Sequence, residues 1–273
     1  VPPLDLPTFG ILLALGFGVG AVGTLVGAGG GFLLVPALLL LRPEATPASV
    51  TSISLAVVFF NAYSGTLAYM RMGRIDYFAA VLFALAGAPG AVLGALLVHE
   101  VPRGAFHVAF GVLLLAVGSL IVHDPLGARS GRAVPDHADP LADALRNDPH
   151  RMRVGSIGSA YVAAFASLLG LGGGIVHVPF LVRVLRFPPH VATATSHFVL
   201  AFMALIATSV HMATGTFGGG QLGDTLALAV GVMMGAPVGA ALSTRIQGAS
   251  IVRVLGAALC VVGFRLLWHL HGG

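Results

Sequence analysis

Apolar stretches of membrane-crossing length recur from one end of this chain to the other. Ten can be marked, at about 8–26, 30–41, 49–69, 77–98, 105–122, 154–170, 173–185, 192–215, 222–243 and 249–270. Eight of them run 17–24 residues, and none alternates with period two. An α-helix rises 1.5 Å per residue, so about 20 residues cross the hydrocarbon core of a bilayer. Barrel strands would be shorter and patterned in dyads. The surface chemistry agrees. Only 24 of 273 residues are charged, 9% against the roughly 25% of soluble domains, and the mean hydropathy is +0.96. Too few charges remain to coat a water-facing shell, so most of the outer surface faces lipid. The expected class is an all-α polytopic integral membrane protein.

The second and seventh segments are too short to cross unaided, and each follows a cluster of glycines. The chain also repeats itself. Gly29-Gly30-Gly31 with Val35-Pro36 matches Gly172-Gly173-Gly174 with Val178-Pro179 at an offset of 143. Gly90, Gly94, Gly111 and Gly118 match Gly235, Gly239, Gly256 and Gly263 at 145, and Thr51 and Ser54 match Thr193 and Ser196 at 142. Two homologous repeats of five hydrophobic segments each are expected, over residues 1–122 and 154–273, with short broken or re-entrant helices. Residues 123–153 hold ten of the 24 charges and four prolines. They read as a charged cytoplasmic connector, with a short helix near Leu141–Leu145.

All fourteen basic residues are arginines. With five segments per half, eleven fall on one side, and only Arg42, Arg103 and Arg265 on the other. Four crossings per half would divide them eight to six. Positive charge collects on the cytoplasmic side, so the odd count is favoured. The halves are then inverted repeats, the termini lie outside the cytoplasm, and the membrane is the cell inner (cytoplasmic) membrane. The arginines are not clustered with aromatics as in a nucleic-acid surface, so no nucleic-acid partner is expected. The N-terminal stretch lacks the basic start of a cleavable signal. One cysteine, Cys260, excludes a disulfide framework or a cysteine-rich metal site.

Glycine runs make poor helix interior, and broken backbone inside a membrane survives only where protein or water satisfies it. A helix restarting at Gly31 or Gly174 has free amides and a positive dipole end, which suit an anion. Paired interruptions in two halves point to a transporter site. Gly29, Gly30, Gly31, Gly172, Gly173 and Gly174 are therefore the first candidates, with an anion between the two breaks. Thr51, Ser54, Thr193, Thr195, Ser196 and His197 open segments three and eight. Thr51 and Thr193 suit capping as well as ligand contact. Ser54, Ser196 and His197 lie deeper. Asn61 is two turns beyond Ser54, and His197 is a candidate for charge tuning or proton acceptance. Gly90-x-x-x-Gly94, Gly235-x-x-x-Gly239 and Gly16-x-x-x-Gly20 serve helix packing, within a subunit or in a homo-oligomer. Asp76 and Asp224 look peripheral, which disfavours a cation site.

No P-loop, dinucleotide fingerprint or paired metal-ligand motif is present. "GAGGGFLLVPALLLL", "GLGGGIVHVPFLVRVL", "TPASVTSISLAVVFFNAYSG" and "PPHVATATSHFVLAFMALIAT" resemble the signature of the sulfite exporter TauE/SafE family, over both halves. The resemblance implies a permease for small sulfur-containing anions, sulfite or an organosulfonate. It implies no enzyme activity and no cofactor, and the expected partners are the anionic substrate and the lipid bilayer. A permease for a carboxylate is the first alternative; a membrane-embedded enzyme or assembly subunit is the second. The half-sites differ: Ile53-Ser54-Leu55 stands where the other half has Thr195-Ser196-His197.

Overall fold

The structure is a computed structural model that describes residues 6–42, 44–123, 148–217, 221–245 and 249–268. Most of the connector, including 141–145, lies outside the described residues. Among these the regular elements are ten α-helices and a single 3-10 turn, Val98–Glu100. The helices are α1 (Leu6–Val26), α2 (Gly31–Leu41), α3 (Pro47–Arg71), α4 (Tyr77–Leu97) and α5 (Arg103–His123), then α6 (Pro149–Leu168), α7 (Gly174–Arg183), α8 (Pro189–Ala213), α9 (Gln221–Arg245) and α10 (Ala249–Trp268). Each coincides with one apolar segment. Six of them, α1, α3, α4, α5, α8 and α9, carry stretches long and apolar enough to cross a membrane.

Local chemistry sets the helix starts. Thr46 Oγ1 accepts from Ser49 N–H at 3.2 Å ahead of Pro47. Asp76 Oδ1 accepts from Ala79 N–H at 3.0 Å, and Asp148 caps α6 ahead of Pro149. These caps satisfy amides that have no intrahelical partner. Thr51 and Thr193 therefore do not cap; both lie about a turn inside their helices. Pro89 and Pro237 sit within α4 and α9. Helices α2 and α7 start differently, from Gly30 and Gly173 at φ 84° and 107° with no side-chain cap. That left-handed backbone strains any residue with a Cβ.

Small residues set the packing. Helices α1 and α9 run parallel: a Cβ on Gly16 would stand 2.5 Å from the carbonyl oxygen of Leu228, and one on Gly20 would stand 2.6 Å from that of Val232. Gly235 and Gly239 face Phe17 and Ala21. Gly90 and Gly94 bring α4 alongside α6 in the same way, against Ala160 and Ala164. The glycine spacings thus pack helices inside one subunit. Helices α5 and α10 cross antiparallel, Gly111 by Gly263 and Gly118 by Gly256. At the centre α3 and α8 also run antiparallel, Leu55 near Ala207 and Gly65 beside His197. The most extensive pairings, α1 with α9, α4 with α6, α5 with α10, α3 with α8, α3 with α9 and α4 with α8, map onto one another or onto themselves when α1–α5 and α6–α10 change places.

The two ends of the bundle differ in charge. One gathers the ends of α2, α4, α8 and α10 and the starts of α1, α3, α5 and α9. It is tied by an Arg42–Asp224 ion pair, Gln221 to Ser49 at 2.6 Å, and Thr216 to His99 at 3.3 Å. The other gathers the ends of α3, α5, α7 and α9 and the starts of α4, α6, α8 and α10, and there Asp76 N–H donates to Thr195 Oγ1 at 3.1 Å and Arg151 donates to the Leu185 carbonyl. Arg42, Arg103 and Arg265 fall at the first end, and every other described arginine falls at the second. Helix α2 finishes at the end where α1 began, and α7 at the end where α6 began. Each short helix is therefore the return arm of a hairpin whose bend is a glycine break. Asp76 and Asp224 do lie at helix starts, but both residues are packed away, 1% and 9% exposed.

Candidate functional site

The two hairpin bends touch each other. A Cβ on Gly31, the first residue of α2, would stand 2.7 Å from the carbonyl oxygen of Gly170 and 2.8 Å from that of Leu171. A Cβ on Gly174, the first residue of α7, would collide with the carbonyl of Gly27 and stand 2.7 Å from Ala28 Cα. Each helix start thus packs on the backbone of the opposite break. Gly29 and Gly172 both lie against Val58, which is halfway along α3, and Gly29 also meets Leu200, halfway along α8. Six glycines in the bends, Gly27, Gly29, Gly30, Gly170, Gly172 and Gly173, have φ between 71° and 107°.

These starts hold unused donors. Leu33 and Leu34 N–H bond to Gly30 O, and Val176 and His177 N–H bond to Gly173 O. The N–H groups of Gly31, Phe32, Gly174 and Ile175 find no acceptor among the described residues, and all four residues are buried. A buried donor without a partner costs about 1–3 kcal/mol. The positive ends of two helix dipoles add to the demand for negative charge.

The hydroxyl cluster divides into separate roles. Ser54 Oγ donates to Gly170 O at 2.6 Å, so this hydroxyl braces the second break from α3. Thr51 Oγ1 bonds back to Ala48 O, and its Cα and methyl lie against Gly170. Thr193 presses its methyl on Gly27, the same contact with the halves exchanged. Thr195 accepts from the Asp76 amide, outside the breaks. Ser196 does not repeat the Ser54 bond. Its Oγ lies 3.2 Å from Nδ1 of His177, whose Nε2 lies 3.1 Å from Ser159 Oγ. A closed Ser–His–Ser chain therefore links α6, α7 and α8, flanked by the rings of Phe83 and Phe180.

On the arginine-rich side of the first break lies a second polar group. Asn61 Oδ1 accepts from Thr24 Oγ1 at 3.2 Å, and Tyr69 OH donates to Thr24 O at 2.9 Å. The Tyr69 ring meets that of His197 edge-on at 5.4 Å. Neither nitrogen of His197 makes a hydrogen bond of good geometry, nor does Asn61 Nδ2. Asn61 and His197 thus belong to one cluster, and Ser196 to another. Thr24, Tyr69, Ser159 and His177 escaped the reading of the sequence. His177 alone left a signal there, a histidine in an otherwise apolar run just after the second glycine break. Among the described residues no group of three or more His, Cys, Asp or Glu side chains is arranged to hold a metal.

A helical membrane bundle with hairpins that break at paired glycines has known relatives. The profile described as sulfite exporter TauE/SafE matches residues 12–266. The chain belongs to the sulfite exporter TauE/SafE family. It is similar to the probable membrane transporter protein YunE of Bacillus subtilis, with 30% identity over 273 residues, covering 96% of this chain and 98% of that one. A probable membrane transporter protein of Xylella fastidiosa is 28% identical over 93% of this chain and 92% of its own length. One from Methanocaldococcus jannaschii is 23% identical over 94% of each. No solved structure matches. This TauE/SafE chain is accordingly a multi-pass membrane transporter.

Proposed function

We propose that the chain is a permease that exports a small sulfur-containing anion, sulfite or an organosulfonate, across the cytoplasmic membrane. The observation that carries this reading is the pair of crossed helix starts, whose buried amides at Gly31, Phe32, Gly174 and Ile175 have no acceptor among the described residues. Such amides take an oxyanion in place of its water without a permanent cation, so release costs less than from an arginine clamp. Carbonyls of the opposite break close on Gly31 and Gly174. This conformation is closed at its centre, and transport requires the bends to part.

Inverted repeats supply a way to part them. The repeat counterparts α3 and α8 run antiparallel, as do α5 and α10, which supports a pseudo-two-fold axis in the membrane plane. Rocking of one hairpin against the other then opens alternate sides. The arginine-rich end faces the cytoplasm. An inside-negative potential drives anion exit by about 2.3 kcal/mol per charge per 100 mV.

Purified protein in liposomes loaded with labelled sulfite tests the reading. Efflux above empty liposomes, competed by sulfonates more strongly than by simple carboxylates, is the expected result. Competition in the reverse order replaces the substrate with a carboxylate. No flux of any sulfur oxyanion removes the substrate assignment.

A further inference from the structure

The scaffold is built twice, but a buried amide–imidazole pair on it is built once. Thr24, Asn61, Gly65, Tyr69 and His197 come together from α1, α3 and α8. By the repeat offsets of 143 and 142 residues, their counterparts are Ser167, Met203, Ala207, His211 and Leu55. Met203 and Leu55 are buried apolar packing residues. The fold therefore tolerates apolar side chains at the two positions where this half carries an amide and an imidazole.

Gly65 is what lets these groups meet. A Cβ there would stand 2.6 Å from His197 Cδ2, 3.1 Å from its Nε2 and 3.1 Å from the Thr24 methyl. The imidazole thus fills the place of a side chain on α3, within one turn of Asn61. Asn61 spends its Oδ1 on Thr24, so its Nδ2 donors are unspent, and both nitrogens of His197 are buried without a good partner. The backbone of Thr193 is within range of the His197 ring only outside good geometry. The patch is wired to the first break, because Thr24 O accepts both Tyr69 OH at 2.9 Å and Gly27 N–H at 3.0 Å.

We infer that Asn61 Nδ2 and the free edge of His197, gathered around Gly65, form a single oxyanion-binding subsite on the arginine-rich side of the glycine breaks. The subsite receives one anion before it passes between the crossed helix starts. An acceptor-rich group with at least two oxygens suits it, one for the amide and one for the ring, as a sulfite or sulfonate head provides. Because the amide–imidazole pair has no counterpart across the pseudo-axis, where Met203 and Leu55 stand beside Ser167 and His211, the two faces of the permease differ in affinity, and the arginine-rich face is the tighter. The inference rests on the reading that this chain moves an oxyanion.

The test swaps in what the other half already carries. Asn61→Met and His197→Leu are compared with wild type in equilibrium binding of labelled sulfite, sulfate, methanesulfonate and acetate to purified protein, in efflux, and in Tm. Both variants should lose tenfold or more in sulfur-oxyanion affinity, the size of one hydrogen bond to a charged group. His197→Leu should keep or raise Tm, since an unpaired ring is replaced by an apolar side chain of similar size, whereas Asn61→Met gives up the Thr24 bond and should lower Tm. Asn61→Asp keeps the Thr24 bond and the shape but sets a carboxylate against the anion, so it should abolish binding even if either apolar variant misfolds. Wild-type affinity in Asn61→Asp and in a folded apolar variant, with wild-type flux intact, overturns the subsite and leaves the permease reading standing. Wild-type protein that neither binds nor moves any of the four probes overturns both.

Discussion

Ser54 Oγ on α3 donates to the carbonyl oxygen of Gly170 at 2.6 Å, across 116 residues of chain. The bond ties the first half of the molecule to the bend of the second. Its counterpart Ser196 is turned to His177 instead of Gly27. Ser54→Ala leaves the Gly170 carbonyl without this partner in a buried setting. It should cost about 1–3 kcal/mol and lower flux, whereas Ser196→Ala should leave the first break intact. Chemical unfolding of both variants in detergent, beside proteoliposome efflux, checks the difference.

Gly31→Ala and Gly174→Ala place a methyl against opposing backbone that cannot rotate away. Each should cost roughly 1–3 kcal/mol through overpacking and strongly reduce transport. Gly10 and Gly18 lie in α1 with nothing within 4 Å of a built Cβ. Alanine there should be neutral or stabilise by up to about 1 kcal/mol. Equal behaviour of all four variants in Tm and efflux would count against contact between the breaks.

Ser159, His177 and Ser196 are predicted to act as a unit. Ser159→Ala and Ser196→Ala should show a coupling energy of about 0.5–3 kcal/mol in a double-mutant cycle. The coupling should vanish when His177→Leu is the background, leucine being what α2 carries at the matching Leu34. Additive effects in the presence of His177 would break the chain into separate bonds.

The arginine distribution predicts sidedness. In a Cys260→Ala background, Gly104→Cys and Arg71→Cys stand exposed at opposite ends of the bundle. An impermeant maleimide added outside intact cells should label position 104 and spare 71. Labelling of both, or of 71 alone, would reverse or refute the orientation.

The Arg42–Asp224 pair lies at the arginine-poor end, with the Arg42 side chain 39% exposed. Solvent screening limits such a pair to about 1 kcal/mol or less. Asp224→Asn should therefore barely move Tm. Its effect should appear in flux, and shrink as salt rises, if the pair latches the α2–α3 loop to α9.

Much of this architecture was legible without coordinates. The ten helices follow from apolar run length, and the restarts at Gly31 and Gly174 follow from glycine's backbone freedom. The arginine counts anticipated which helix ends share a side. The site was legible by half. Asn61 and His197 could be singled out as polar residues inside apolar runs. That they meet around Gly65, with Thr24 and Tyr69, could not. Thr24 reads as one more small residue at the end of α1, and a tyrosine near the end of α3 reads as an interface residue. Thr195, a candidate donor by position, instead accepts from the Asp76 amide, outside the breaks.

Chain-local physics, then, determined the elements: hydrophobic length, glycine φ and capping side chains act over a few residues, so the sequence alone carries them. The tertiary structure alone decided which hydroxyl braces which break, why matched serines have different partners, and where unpaired donors gather. Those outcomes depend on distances between residues as far apart as 116 positions. They are set by how closely small residues let α1 approach α9, α4 approach α6 and α3 approach α8.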